Sequence, residues 1–135
     1  MPVTYILDSK SRIIHTICTS PLTFDEVLDH FRALSTDPAC TGRLDVLLDV
    51  SQADALPESG QLFSVARTIR NLLSKVHFGV CSIVATRNAM FGMMRMFEAM
   101  ATDYFLEIRV FRDAAEAESW LLSRRSQADS NPERP

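Results

Sequence analysis

The sequence predicts an α/β fold in which one mixed β-sheet is combined with four helices, in the order ββαβαβαβα. Two β-branched, apolar runs near the N-terminus, residues 3–8 and 12–19, are separated by Ser9-Lys10-Ser11, which is typical of an antiparallel hairpin. Apolar strands then alternate with amphipathic helices, and this alternation implies parallel strands joined by right-handed crossovers. The 135 residues are enough for one domain with a single core.

Capping residues mark the predicted helix boundaries. Thr23 followed by Glu26, and Asp113 followed by Glu116, form capping boxes that open the first and fourth helices, and Asn88 is the predicted N-cap of the third. The predicted helices are residues 23–37, 58–75, 88–100 and 113–125, and the remaining strands are residues 44–50, 79–85 and 106–111. A single domain covers residues 1–125, and the polar stretch 126–135 is predicted to be a disordered tail.

The composition excludes several classes of protein. A formal net charge of -3 and a pI near 5.5 disfavour nucleic-acid binding, which usually needs clustered Lys and Arg. No apolar run approaches the roughly 20 residues of a membrane-spanning helix, so we expect no integral membrane segment. The N-terminal residues lack the pattern of a secretory signal, which predicts a cytoplasmic protein. The three cysteines are far apart and predict reduced thiols.

The sequence contains no pattern typical of catalysis or metal binding. His15, His30 and His77 are predicted on a strand, a helix and a loop, and their neighbours do not form a metal-ligand pattern. No serine stands in a G-x-S-x-G motif, and no glycine loop suited to phosphate is present. Cys81, within an apolar strand, is predicted to be a buried, unreactive thiol. We therefore expect a protein that is not an enzyme and that has no metal or cofactor.

Polar side chains follow the ends of the predicted parallel strands. In open α/β sheets the usual ligand crevice lies beyond the carboxyl ends of the strands. The residues at these ends are Asp49, Ser51, Thr86, Arg87, Asn88 and Arg112. Two arginines beside helix N-termini are suited to a phosphate or carboxylate group. The sequence thus predicts an anion site at this edge, the alternative being that these residues only cap helices and face solvent.

The third predicted helix, NAMFGMMRMFEAM, is rich in methionine. On a helical wheel Met90, Met93, Met94, Phe97 and Met100 form an apolar arc that belongs to the core. The apolar or small residues outside the inner stripes of this helix and the preceding one are Phe63, Phe91, Gly92 and Met96. Single exposed apolar residues are common on proteins, which is one interpretation. The other is a contact surface for a protein partner or a second copy of the chain.

Three segments resemble the SpoIIAA-like, or STAS/SEC14-like, bacterial domains. They are Leu47-Leu48-Asp49-Val50-Ser51, the run from Ile108 to Asp113 (IRVFRD) and the run from Glu116 to Leu121 (EAESWL). The resemblance covers most of the chain and implies a small regulatory or ligand-binding domain with a STAS-like fold. In the anti-sigma-factor antagonists of this family a serine at a helix start is phosphorylated. Ser59-Gly60 stands at the corresponding place, so Ser59 is the candidate phosphoacceptor, with plain helix capping as the alternative.

Two functions follow as expectations. The first is a non-enzymatic, STAS-like regulatory domain that acts through protein contacts and dimerises through its helical surface. The alternative comes from the SEC14-like part of the resemblance, which implies a carrier or sensor of a lipid or another small apolar or anionic ligand. In that case the methionine-rich helix would line a pocket between itself and the sheet.

Overall fold

Five strands and four helices make up the fold of the part of the chain that the structure describes. The computed structural model describes residues 2–54 and 60–130. The strands are β1 (Val3–Asp8), β2 (Ile13–Thr19), β3 (Gly42–Gln52), β4 (Val76–Val84) and β5 (Glu107–Phe111). The helices are α1 (Phe24–Thr36), α2 (Gly60–Leu72), α3 (Asn88–Met100) and α4 (Ala114–Ser130), with a 3₁₀ turn at Thr102–Tyr104. The predicted α/β fold and its order of elements are confirmed.

The strands lie side by side in the order of the sequence, β1-β2-β3-β4-β5. β1 is antiparallel to β2, and all other neighbouring strands are parallel. The hairpin turn is held by the Asp8 carboxylate, whose Oδ1 accepts from the backbone N–H groups of Lys10 (2.9 Å) and Ser11 (3.2 Å). Arg12 closes the turn with a φ of 59°, so the second strand begins one residue later than predicted.

Helices cover the sheet on both faces. Side chains of β4 alternate between the two faces, and every residue of this strand except His77 is buried. Cys81 faces the layer formed by α1, α2 and α3, whereas Ser82 faces α4 and donates from its Oγ to the carbonyl of Ala117 (2.8 Å). The main core therefore lies between the sheet and the three-helix layer, and α4 covers the opposite face.

A buried ionic junction joins β3, β4 and α4. The side chain of Asp45 is 5% exposed, and its Oδ1 accepts from the Val80 N–H at 2.7 Å. Its Oδ2 accepts from Arg125 Nε at 2.6 Å, and Arg125 also donates to the carbonyl of Ser11. Gly79 makes room for this carboxylate, since a Cβ there would lie 2.1 Å from Asp45 Oδ1. The junction attaches the C-terminal part of α4 to the sheet.

Thr23 and Asp113, the cap residues of the two predicted capping boxes, begin their helices where expected. Thr23 Oγ1 accepts from the Glu26 N–H (3.2 Å), and Asp113 Oδ2 accepts from the Glu116 N–H (2.9 Å). The predicted cap at Asn88 is wrong: Asn88 is already helical, and its Oδ1 accepts from Arg112 (2.8 Å) instead of from backbone. Arg112 competes successfully for this oxygen because its guanidinium offers a charge-assisted hydrogen bond.

Several strand boundaries differ from those predicted. β3 and β4 both start earlier, because Gly42 pairs with Val76 and Arg43 pairs with His77 across the two strands. His77 thus lies in β4 and not in a loop, and its polar side chain gave no apolar signal to extend the predicted strand. At the other edge Leu106 precedes β5, although its N–H still donates to the carbonyl of Gly79 (3.0 Å).

The last helix extends beyond residue 125, where the predicted helix and domain end. α4 continues to Ser130, so the first part of the predicted tail is helical. Residues 126–130 contain neither Gly nor Pro, and the first helix-breaking residue is Pro132. The predicted start of the second helix at residue 58, and residues 131–135, lie outside the described residues.

Candidate functional site

The residues of the predicted anion site meet at one edge of the sheet. Ser51 donates to Asp49 Oδ1 from both its Oγ (2.6 Å) and its N–H (2.9 Å). Thr86 Oγ1 lies 3.4 Å from the carbonyl of Ser51, which joins the end of β3 to the loop that follows β4. The hydroxyl groups and the carboxylate at this edge therefore bond to one another or to backbone.

Both arginines of this edge have contacts within the chain. Arg87 forms an ion pair with Asp54 at 2.6 Å, and both side chains are exposed. Arg112 donates to Asn88, and its guanidinium carbon lies 4.0 Å above the centre of the Phe91 ring. An incoming anion would have to compete with Asp54 for Arg87, although an exposed ion pair is worth only about 0–1 kcal/mol. The anion site stays a prediction.

The predicted contact surface divides into exposed and partly buried residues. Phe63 is 64% exposed and Met96 is 44% exposed, as expected for contact residues. Gly92 is also exposed, and a Cβ added to it would meet no atom within 4 Å. Phe91 is half-buried, because its ring packs on the core and lies beneath Arg112. The exposed apolar groups are therefore Phe63 and Met96, and Phe91 supports an arginine.

An apolar cavity lies between the sheet and the three-helix layer, and we call it the inner cavity. Its volume is about 110 Å³. The sheet contributes mainly short side chains, among them Thr16, Cys18, Val46 and Val50. Helix α1 contributes Val27, His30, Phe31 and Leu34; α2 contributes Leu62, Val65 and Ile69; α3 contributes Met90, Met93, Met94 and Phe97. Short strand residues facing long helix residues leave this space in the packing.

The inner cavity offers a neutral surface. Burial lowers the pKa of His30 to about 4, so this imidazole is uncharged at neutral pH. Its ring makes an edge contact with Tyr5 (5.4 Å between centres), and the Tyr5 hydroxyl donates to Asp37 (2.6 Å). Burial also raises the pKa of Cys18 to about 12 and the pKa of Cys81, so both thiols stay protonated. Placing a charged group in this cavity would cost a large desolvation free energy, whereas placing a hydrocarbon there would not.

The methionines give the inner cavity an adaptable wall. Met90 and Met94 are buried and Met93 is half-buried, as the helical wheel predicted for the core arc of α3. Unbranched thioether side chains change rotamer at low cost, so such a wall can adjust to the shape of an occupant. The sequence predicted that this helix could line a pocket, but it did not predict that residues of α1 and β2 line the cavity as well. The alternation of Ile14, Thr16 and Cys18 on one side of β2 was the available signal.

A second, open groove runs along β5 and has a volume of about 420 Å³. It is lined by Leu106, Glu107, Ile108 and Arg109 on the strand side. The flanking helices contribute Glu98, Ala99, Trp120 and Arg124, together with Thr102 of the 3₁₀ turn. Glu107 forms an ion pair with Arg124 at 3.1 Å, which holds the carboxylate against α4. This groove mixes charged and apolar side chains, whereas the inner cavity is almost wholly apolar.

Other predictions concern metals, membranes and phosphorylation. In residues 2–54 and 60–130 no group of three or more His, Cys, Asp or Glu side chains is placed to hold a metal ion. Within the same ranges no helix has the length and apolar character needed to span a bilayer. Ser59, the candidate phosphoacceptor, lies outside the described residues.

Comparisons with known proteins add no family assignment. A scan against models of protein families and a search of curated proteins both found no significant match.

Proposed function

We propose that the chain is a non-enzymatic binding domain that holds a small apolar molecule in the inner cavity. The observation that carries this proposal is a space of about 110 Å³ lined almost wholly by carbon and sulfur, with its one histidine uncharged. Apolar cavities of this kind stay dry, so an apolar guest displaces little water and gains dispersion contacts. A carrier or sensor of such a molecule is the function that the cavity supports best.

The size of the inner cavity narrows the chemistry of the occupant. A cavity of about 150 Å³ in another protein accommodates benzene, so this one suits a single small ring or a short chain. A longer acyl chain would require Met90, Met93 and Met94 to move aside, which methionine permits. An anionic head group would have to remain outside, because none of the described residues that line the cavity is charged.

Methionine methyl NMR tests the ligand proposal directly. On titration with benzene, and separately with hexane, we expect the methyl signals of Met90, Met93 and Met94 to shift. Met96 is the internal control, because it is exposed on the outer side of the same helix. Decanoic acid distinguishes a carrier of longer chains from a site for small rings. If neither hydrocarbon moves any methyl signal of α3 at saturation, the proposal is wrong.

A second candidate is a surface that contacts a partner protein. It is favoured by the exposure of Phe63 (64%) and Met96 (44%) on the neighbouring helices α2 and α3. Apolar side chains of this size are energetic anchors when a partner covers them. This proposal retains the predicted regulatory role, whereas the likeness to SpoIIAA-like domains and the cytoplasmic location rest on the sequence alone.

Paired variants test the contact surface. A partner protein that the wild-type chain captures from a lysate of its native cells should no longer be captured by the double variant Phe63→Ser, Met96→Gln, as measured by quantitative mass spectrometry. Leu122→Ser is the matched control, because Leu122 is 47% exposed on α4, across the sheet from the proposed surface. Loss of the same protein from both samples, or retention in both, would contradict the assignment.

A further inference from the structure

β5 is an edge strand with one side open. In the described part of the chain it pairs only with β4, and four consecutive positions, Leu106 to Arg109, border the open groove. Helices α3 and α4 flank this groove and leave it open between them. Exposed strand edges carry unpaired N–H and C=O groups and readily accept another strand.

The backbone of β5 determines which residues can pair outward. The carbonyl of Phe111, the last residue of β5, accepts from the N–H of Ala85, so Phe111 directs its backbone polar groups towards β4. Successive residues of a strand direct their N–H and C=O groups to opposite sides, so Arg109 and Glu107 also face β4, whereas Ile108 faces the open side. An added antiparallel strand would thus form a hydrogen-bonded pair at Ile108, and the side chains of Glu107 and Arg109 would stand in the closer, non-hydrogen-bonded pairs on either side of it.

The side chains at these two positions carry opposite charges on the same face of the sheet. If a second β5 runs antiparallel to the first, with the two Ile108 residues opposite each other, Glu107 of each copy lies opposite Arg109 of the other. A register centred on Glu107 would place two carboxylates opposite each other, and one centred on Arg109 would place two guanidinium groups opposite each other. Opposite charges across strands stabilise pairing and like charges oppose it. One register is therefore selected by charge.

We propose that two copies of the chain associate through β5, antiparallel about a two-fold axis at Ile108, and form one continuous sheet. The occupant is a second copy because the charge pattern of β5 is complementary to itself, as a two-fold interface requires. Arg109 is available for this pairing: its side chain is exposed, and within residues 2–54 and 60–130 it makes no ion pair. Its guanidinium contacts the Phe111 ring at 5.2 Å.

Two neighbouring features fit the same arrangement. Leu106 is 47% exposed, and the proposed register places it opposite Val110 of the second copy, where an apolar partner would cover it. The ion pair of Glu107 with Arg124 holds the carboxylate near the edge before association, which lowers the entropy lost on pairing. This dimer surface lies away from Phe63 and Met96 and does not depend on the inner cavity.

Complementary charge reversals test the interface. We expect sedimentation equilibrium to show a dimer for the wild-type chain. Arg109→Glu and Glu107→Arg should each weaken self-association roughly ten- to thirtyfold, because two attractive cross-strand pairs become repulsive. An equimolar mixture of the two variants should restore the dimer, since each Glu then faces an Arg in the other copy. Circular dichroism of each variant checks that the fold is retained.

Matched charge changes elsewhere serve as controls. Arg67→Glu on α2 and Glu118→Arg on α4 alter exposed residues by the same charge and should leave the association constant within about twofold. A wild-type chain that stays monomeric up to about 1 mM would overturn the proposal. A dimer that the two reversals leave intact, or a mixture that fails to recover, would also overturn it.

Discussion

His30 is a titratable residue on the wall of an apolar cavity, and this position determines how acid affects the fold. Burial lowers its pKa from 6.5 to about 4. Between these values the unfolded chain binds a proton at this histidine and the folded chain does not. The free energy of unfolding should therefore rise with pH across this interval. As the pH falls from 6.5 towards 4, the contribution of the uncharged histidine to stability should be lost progressively.

The expected loss is on the order of 3 kcal/mol between pH 7 and pH 4, from the difference between the two pKa values. His30→Phe keeps the aromatic contact with Tyr5 and removes the proton-binding group, so its stability should be nearly flat over this interval. Urea unfolding at a series of pH values from about 4 to 7.5 measures both curves.

His77→Gln is the control for this prediction, because it removes an exposed histidine from β4. A flattening of the slope in His30→Phe that His77→Gln does not share would assign the loss of stability to His30. Asp37, whose pKa is lowered chiefly by the hydrogen bond from Tyr5, adds its own loss of stability only at more acid pH, below the ordinary range of a carboxylate. A slope that survives in His30→Phe would show that another group titrates in this interval.

At the scale of elements, the junction of β3, β4 and α4 depends on the absence of a side chain at Gly79. Gly79→Ala would place a Cβ 2.1 Å from Asp45 Oδ1 and 2.7 Å from Arg43 Nε. The displaced carboxylate would leave the Val80 N–H and the Arg125 guanidinium without their buried partner. We expect a loss of about 2–4 kcal/mol in the free energy of unfolding, measured by urea titration.

Gly92→Ala is the matched substitution in open space. A Cβ at Gly92 meets nothing within 4 Å, and the residue lies inside α3, where alanine is the better helix former. This variant should gain about 0.5–1 kcal/mol. Equal effects at the two glycines would contradict the role assigned to the Asp45 carboxylate.

Contacts between residues that are distant in the sequence explain why some element boundaries escaped prediction. Apolar periodicity located every strand and helix, and the threonine and aspartate caps placed the starts of α1 and α4. Apolar periodicity did not predict that β3 and β4 include Arg43 and His77, because these polar residues are held in strands by pairing with each other across the sheet. Nor could it show that Asn88 bonds to Arg112, a residue that lies 24 positions away in the sequence.

At the scale of the whole molecule, the site was less predictable than the fold. The polar residues at the carboxyl ends of β3 and β4 do meet at one edge, as the rule for parallel strands predicts, but their hydrogen-bond and ion-pair partners could not be predicted from the sequence. Arg87 pairs with Asp54, and Arg112 covers Phe91. The inner cavity depends on how closely side chains of α1, α2 and α3 pack against those of β2 and β3. These segments are distant in the sequence, so no local pattern predicts the space left between them.

Two valine-to-isoleucine variants test whether the inner cavity is real free space within the fold. Val50 lies on β3 and lines the cavity, whereas Val76 lies on β4, is also buried and is not among the lining residues. The extra methylene of Val50→Ile should enter empty space and raise the free energy of unfolding by about 0.8 kcal/mol. Val76→Ile should lower it by about 1–3 kcal/mol through overpacking.

The two variants also separate the cavity from the ligand that we propose for it. Benzene should raise the melting temperature of the wild type and of Val76→Ile by similar amounts, because ligand that binds only the folded state stabilises it by mass action. The rise should be smaller in Val50→Ile, whose side chain occupies part of the same volume. If Val50→Ile is stabilised but benzene raises no melting temperature, the space exists and the proposed ligand class is wrong. If Val50→Ile is destabilised as much as Val76→Ile, the packing around β3 has no room for an occupant.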